Sequence, residues 1–360
     1  LEQQRFRLIG VETPDAQWKI PVCAASGEGR QCELLDSKAG PLGKLVGTAP
    51  WVAGNAGGTG YYRFDLPEAD WNRLVAAGPT LPAPEALTAV DSLWAGFKSG
   101  TGSFDRAITA ARSFAGHPDR LVATYLPGRI LDFAETAGTP ADVEAARRLV
   151  RETSLPALKS LGLDPARGVY SAEPAERRQL RQTLVSLAVA DAHAPAESEH
   201  MAAAARRALD GDSAAIDPGF RTTGLRAALR KDPAFADRLF EALATSDDPL
   251  FRRQAAYALG SDGPTSLLDR HADKRLQNLE VTSMIAAQFG NPATRQAALG
   301  WLEANLEALK PRLGGLLGGF VTELVDPATG VARPLATIRQ CAALKAKRGA
   351  EAATALAAIR

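Results

Sequence analysis

The sequence predicts a mainly α protein with a small β domain in front of it, and three observations carry that reading. Four short segments near the N-terminus, RFRLIG (5–10), WKIPVCA (18–24), QCELLD (31–36) and PWVAGN (50–55), carry β-branched or aromatic residues and are separated by Gly, Pro and Asp. From Pro67 onward the texture changes to Ala, Leu and Arg at helical spacing and does not change back. Helix boundaries then recur in one chemical form, a capping residue followed by proline at the first helical position. The expected division is a small β-sandwich over residues 1–66 and a helical domain over 67–360.

Each helical element can be justified by its apolar face and its ends. Leu87, Val90, Leu93, Trp94 and Phe97 form one stripe, and Leu180, Leu184 and Leu187 another. Thr139-Pro140, Asp232-Pro233, Asp248-Pro249 and Asn291-Pro292 predict helix starts, while Gly138, Gly162, Gly211, Gly260 and Gly290 predict stops. Many helices of ten to twenty residues with short connections pack as antiparallel pairs. No crisp repeat consensus is present, so the expectation is an irregular, HEAT-like α-solenoid.

In bulk, 360 residues suffice for two or three domains with cores of their own. The 42 Lys and Arg balance 41 Asp and Glu without a block of either sign, which argues against a nucleic-acid or anionic-membrane surface. No run of eighteen apolar residues occurs, so no membrane span is expected, and LEQQRFRLIG lacks the pattern of a signal peptide. The opening residues read as the continuation of a longer polypeptide.

Three cysteines, Cys23, Cys32 and Cys341, are too few and too scattered for a zinc finger. If the first two strands join through a two-residue Gly27-Glu28 turn, Cys23 lies opposite Cys32 at a non-hydrogen-bonded pair, where side chains come closest. A cross-strand disulfide is geometrically reasonable there; two reduced cysteines on a hairpin is the alternative. The bond would favour a periplasmic or secreted location, and its absence a cytoplasmic one. Cys341, amid Ala342, Ala343 and Leu344, reads as a buried helix residue.

The stretch GNAGGTGYYRF (54–64) poses the main chemical question, because glycines can cradle a phosphate. Neither G-x-G-x-x-G nor G-x-x-x-x-G-K-[ST] is present, so a turn leading into an aromatic strand is the simpler reading. His117, His193, His200 and His271 form no H-E-x-x-H, and Pro195 interrupts the one local cluster, HAPAESEH. No G-x-S-x-G elbow occurs, and Asp247-Asp248 precedes a proline as a helix cap would. ARR (146–148), ERRQLRQ (176–182) and FRR (251–253) read as solvated helix faces that could also meet a peptide carboxylate. No catalytic, cofactor-binding or metal-binding residue is therefore assigned.

WVAGNAGGTGYYRFDLPEADWNRL resembles the junction in M1-family zinc aminopeptidases where a small β-sandwich meets the C-terminal helical domain; the matching positions are Asn55, Gly57, Gly58, Tyr61, Tyr62, Arg63, Asp65, Trp71 and Leu74. QQRF (3–6) and WKIPV (18–22) look like that sandwich's first strands. Segment 250–270 is similar to the helical pairs late in that domain, and segment 293–309 to its tryptophan-bearing helix. The resemblance implies the non-catalytic C-terminal region of such an enzyme, inactive alone. Its partners would be the parent's own catalytic domain, which would hold the zinc, and peptide substrates whose access it limits. A stand-alone HEAT-like interaction scaffold is the alternative reading.

Overall fold

The computed structural model describes residues 1–11, 13–43, 49–314, 316 and 349–359. The chain is mainly helical with a three-stranded sheet near its N-terminus, as the sequence predicts. It divides into two compact units, Leu1–Ala157 with Ile338–Arg360, and Leu158–Thr337.

In the first unit, β1 (Ile20–Ser26) and β2 (Gly29–Leu35) form an antiparallel hairpin, and β3 (Val52–Ala53) pairs with the other edge of β1. The Gly27-Glu28 turn sets the expected register, with Cys23 opposite Cys32. Their sulfurs are bonded. RFRLIG, expected as a strand, is not one: Gly10 has a φ of 80°, Val11 donates to the Leu8 carbonyl, and Ile9 N–H donates to the Lys98 carbonyl, so a turn and a helix end take up these backbone groups. Tyr61–Phe64, also read as a strand, runs as irregular chain.

Helices α1 (Glu68–Ala76), α2 (Ala83–Ser99), α3 (Phe104–Phe114) and α4 (Arg120–Ala137) follow, and α3 packs against α1, α2 and α4. Their shared core is aromatic: Phe97 meets Phe104 and Phe133 edge-on at centroid distances of 4.9 and 5.2 Å, with Trp94 beside them. The stripe read from the sequence supplies half of this cluster. Helix α5 (Pro140–Leu161) begins at the predicted Thr139 boundary and runs through the division between units.

The second unit contains α6 (Ala175–Val185), a π-helical turn Ser186–Asp191, α7 (Pro195–Leu209), α8 (Pro218–Lys231), α9 (Phe235–Thr245), α10 (Pro249–Asp262), α11 (Asn278–Gly290) and α12 (Arg295–Leu313). From α7 onward sequential neighbours pack together, and α8 also packs on α10, as stacked helical hairpins do. Asp248 caps α10 by accepting from Leu250 N–H at 2.9 Å. Asp232 and Asn291 instead end α8 and α11 and start turns of their own; the following helices begin at Phe235 and Arg295. Gly260 is no stop: α10 continues to Asp262. A Cβ at 260 would come within 2.7 Å of the Met284 backbone, so this glycine lets α10 lie against α11. Cys341 lies outside the described residues.

Candidate functional site

The glycine-rich turn is built around one buried side chain. Asn55, 1% exposed, donates from Nδ2 to the carbonyls of Gly60 and Tyr62 and accepts from Gly60 N–H at 3.0 Å. Gly57 and Gly58 have φ of 66° and 63°, the left-handed region that glycine enters without steric cost. Such a turn does present an N–H to an anion. The anion is the protein's own: Gly57 N–H donates to Glu85 Oε1 at 2.7 Å, from a carboxylate in the first turn of α2.

The aromatic residues that follow are used singly rather than as a strand. The Tyr62 hydroxyl accepts from Cys23 N–H at 3.0 Å and donates to Cys23 C=O at 3.3 Å, so one side chain supplies both bonds a neighbouring strand would make. Burial pushes its phenol pKa up. Phe64 stacks on Trp71, and Trp71 Nε1 donates to Asp65 Oδ1 at 2.7 Å, which fixes the entry into α1. Tyr61 points fully into solvent.

Arg63 begins a polar chain across the first helices. It pairs with Asp91 at 2.7 Å and lies over the Phe6 ring, while the Tyr125 hydroxyl donates to the same carboxylate at 2.8 Å. Burial raises the Asp91 carboxyl, but hydrogen bonds from Arg63 and Tyr125 outweigh it and leave the group below its ordinary range. Burial and the bond to Asp91 push Tyr125 up to about 12. The junction positions quoted from the sequence thus converge on structural contacts, and among them Tyr61 alone is left as a bare surface side chain.

The arginine-rich faces need correction. Arg181, read as part of a solvated face, is fully buried. It bonds the Leu161 and Gly162 carbonyls at the end of α5, grips Glu173 through both oxygens at 2.6 and 2.9 Å, and lies 3.5 Å from the Tyr170 ring centre. Arg252 does the same for α9: it donates to the carbonyls of Leu243 and Ser246, to Arg275 C=O, and to both oxygens of Glu280. Glu280 also accepts from Gln277 N–H, closing the capping box of α11. Arg226 and Arg230 share Asp262 and bond the Ala190 and Val189 carbonyls at the end of the π-helical turn. Arg312 collects the carbonyls of His271, Asp273 and Leu276. In the first unit, Arg148 bonds Ile359 C=O at 2.9 Å. A guanidinium with five fixed donors suits the several acceptors left at a helix C-terminus, and the sequence gives no local sign of which arginine will do it.

The described residues do not fit a zinc ion. Both ring nitrogens of His117 face backbone groups, Leu81 C=O and Asp119 N–H, at 3.0 Å. His271 Nδ1 meets Leu268 C=O and its ring packs edge-on against Trp301. His193 and His200 flank the start of α7 on either side of Pro195. Among the described residues no three His, Cys, Asp or Glu side chains gather as a metal site requires.

These features define a class, a helical-hairpin domain entered through a short strand and a glycine turn held by Asn55. The chain belongs to the ERAP1-like C-terminal domain family, which matches residues 51–359 and so begins at Trp51, the first residue of the junction segment. No curated protein matches the chain. Strands β1 and β2, with their disulfide, precede the matched region.

Proposed function

We propose that this chain is the non-catalytic C-terminal region of an M1-type zinc aminopeptidase, where the helical domain covers the active-site cavity and limits entry to peptides. The carrying observation is the family match from Trp51 to residue 359, which starts at the segment that resembles the junction in those enzymes. In this reading β1, β2 and β3 belong to the β-sandwich that links the helical domain to a separate catalytic domain, and that domain holds the zinc. The unsuitable surroundings of His117 and His271 support placing the metal elsewhere. The Cys23–Cys32 bond supports a periplasmic or secreted parent.

The test is to capture the native protein from its source with an antibody to this segment and measure intact mass and zinc content. A mass well above 37.9 kDa with about one zinc per chain supports the proposal. A mass near 37.9 kDa without zinc overturns it in favour of an interaction scaffold.

A further inference from the structure

We propose that Cys23–Cys32 is a thiol–disulfide exchange site, opened by a dithiol reductant that attacks Cys32 and leaves Cys23 as the departing thiolate. The proposal does not rest on the aminopeptidase reading. Exposed disulfides are the more readily reduced ones; this one sits on the outward face of the hairpin, with Cys32 exposed and Pro21, Arg30 and Leu34 around it also exposed. An attacking thiolate reaches Cys32 Sγ from solvent, whereas Cys23 is half-buried.

Arg30 adds the chemistry. Its Nη2 lies 3.2 Å from Cys23 Sγ and its Nε 3.4 Å from Cys32 Sγ, so one guanidinium spans both sulfurs. A fixed positive charge lowers a thiol's pKa and makes it a better leaving group. Attack forms a bond between the reductant's sulfur and Cys32 Sγ and breaks the Cys23–Cys32 bond. Both electrons of the broken bond go to Cys23, held as thiolate by Arg30 Nη2. The reductant's second thiolate then displaces Cys32, leaving the reductant as a disulfide. The protein gains two electrons and, as the thiolates protonate, up to two protons.

The surroundings keep the step reversible. Strands β1 and β2 are paired over seven residues each, from Ile20–Leu35 to Ser26–Gly29, and the Tyr62 hydroxyl holds both backbone groups of Cys23. The two thiols therefore stay opposite each other after reduction and can reclose with any disulfide of higher potential.

The full chain is treated under native conditions with glutathione or with dithiothreitol, quenched with an alkylating reagent, and mapped by peptide mass, which separates Cys341. Glutathione on Cys32 with alkyl label on Cys23, and label on both after dithiothreitol, is the expected result. Arg30→Gln should slow the opening about tenfold, with Arg30→Lys retaining most of the rate and circular dichroism unchanged in both. Label that appears only above the unfolding transition, or glutathione on Cys23 instead, overturns the proposal. Equal rates in wild type and Arg30→Gln overturn it as well, because the guanidinium is what makes Cys23 the departing thiolate.

Discussion

The turn at 54–64 and the helix ends of the second unit both have backbone polar groups to satisfy, and they do so over very different distances along the chain. In the turn, Asn55 serves Gly60 and Tyr62, five and seven residues away. At the end of α9, Arg252 serves Leu243 nine residues before it and Glu280 twenty-eight after it. Short polar side chains suit the first task because the acceptors lie within one turn of chain. The second needs a long planar cation that reaches several carbonyls at once, and a carboxylate to offset the cost of burying it. The comparison predicts that damage at the arginine clamps is large and spreads between helices, while damage at the turn is smaller and local.

The largest effect is expected for Arg252→Ala. It leaves the Glu280 carboxylate buried without its partner and uncaps α9, for a loss of about 3–5 kcal/mol in urea unfolding of the second unit. Replacing both partners with apolar residues of similar volume should cost much less than the two single changes summed. If the double variant is as unstable as that sum, the clamp acts through the carbonyls alone. Gly260→Ala comes next, at about 2–3 kcal/mol, because the new Cβ meets the Met284 backbone rather than a side chain that can turn aside.

At the turn, Tyr62→Phe strips both partners from the Cys23 backbone and should cost about 1–2 kcal/mol by thermal or urea unfolding. Faster amide exchange should be confined to β1 and β3. The smallest effect is expected for Asp91→Asn, under about 1 kcal/mol since the pair is part-exposed. Its signature is the pH dependence. Asp91 is held below its ordinary value of 3.8, so its contribution is complete above that pH and is lost as pH falls through the depressed value. The wild type should therefore lose stability on acidification below about pH 4 more steeply than Asp91→Asn.

What could be read from the sequence follows the same divide. The Cys23–Cys32 register was open to arithmetic because a two-residue turn fixes every pair outward from it. The helix stripes and the caps at Thr139 and Asp248 were legible for the same reason, being local. Gly260 misleads because a glycine that ends a helix and one that admits a neighbouring helix look alike until the neighbour is placed. RFRLIG has strand composition, but a turn and the end of α2 claim its backbone. The carboxylate in the glycine turn was equally invisible, since Glu85 stands twenty-eight residues from Gly57. Of the three arginines in ERRQLRQ, none is marked out by its neighbours as the one that Glu173 will hold inside the protein.

The two bonds from Tyr62 to Cys23 also bear on self-association. The edge of β1 turned away from β2 would present the backbone of Pro21, Cys23 and Ala25 to any passing strand. Ala25 is paired with Ala53 of β3, Cys23 is occupied by the Tyr62 hydroxyl, and Pro21 has no N–H to offer. A strand of only two residues, one phenol and one proline thus close to a second chain an edge that would otherwise template its addition.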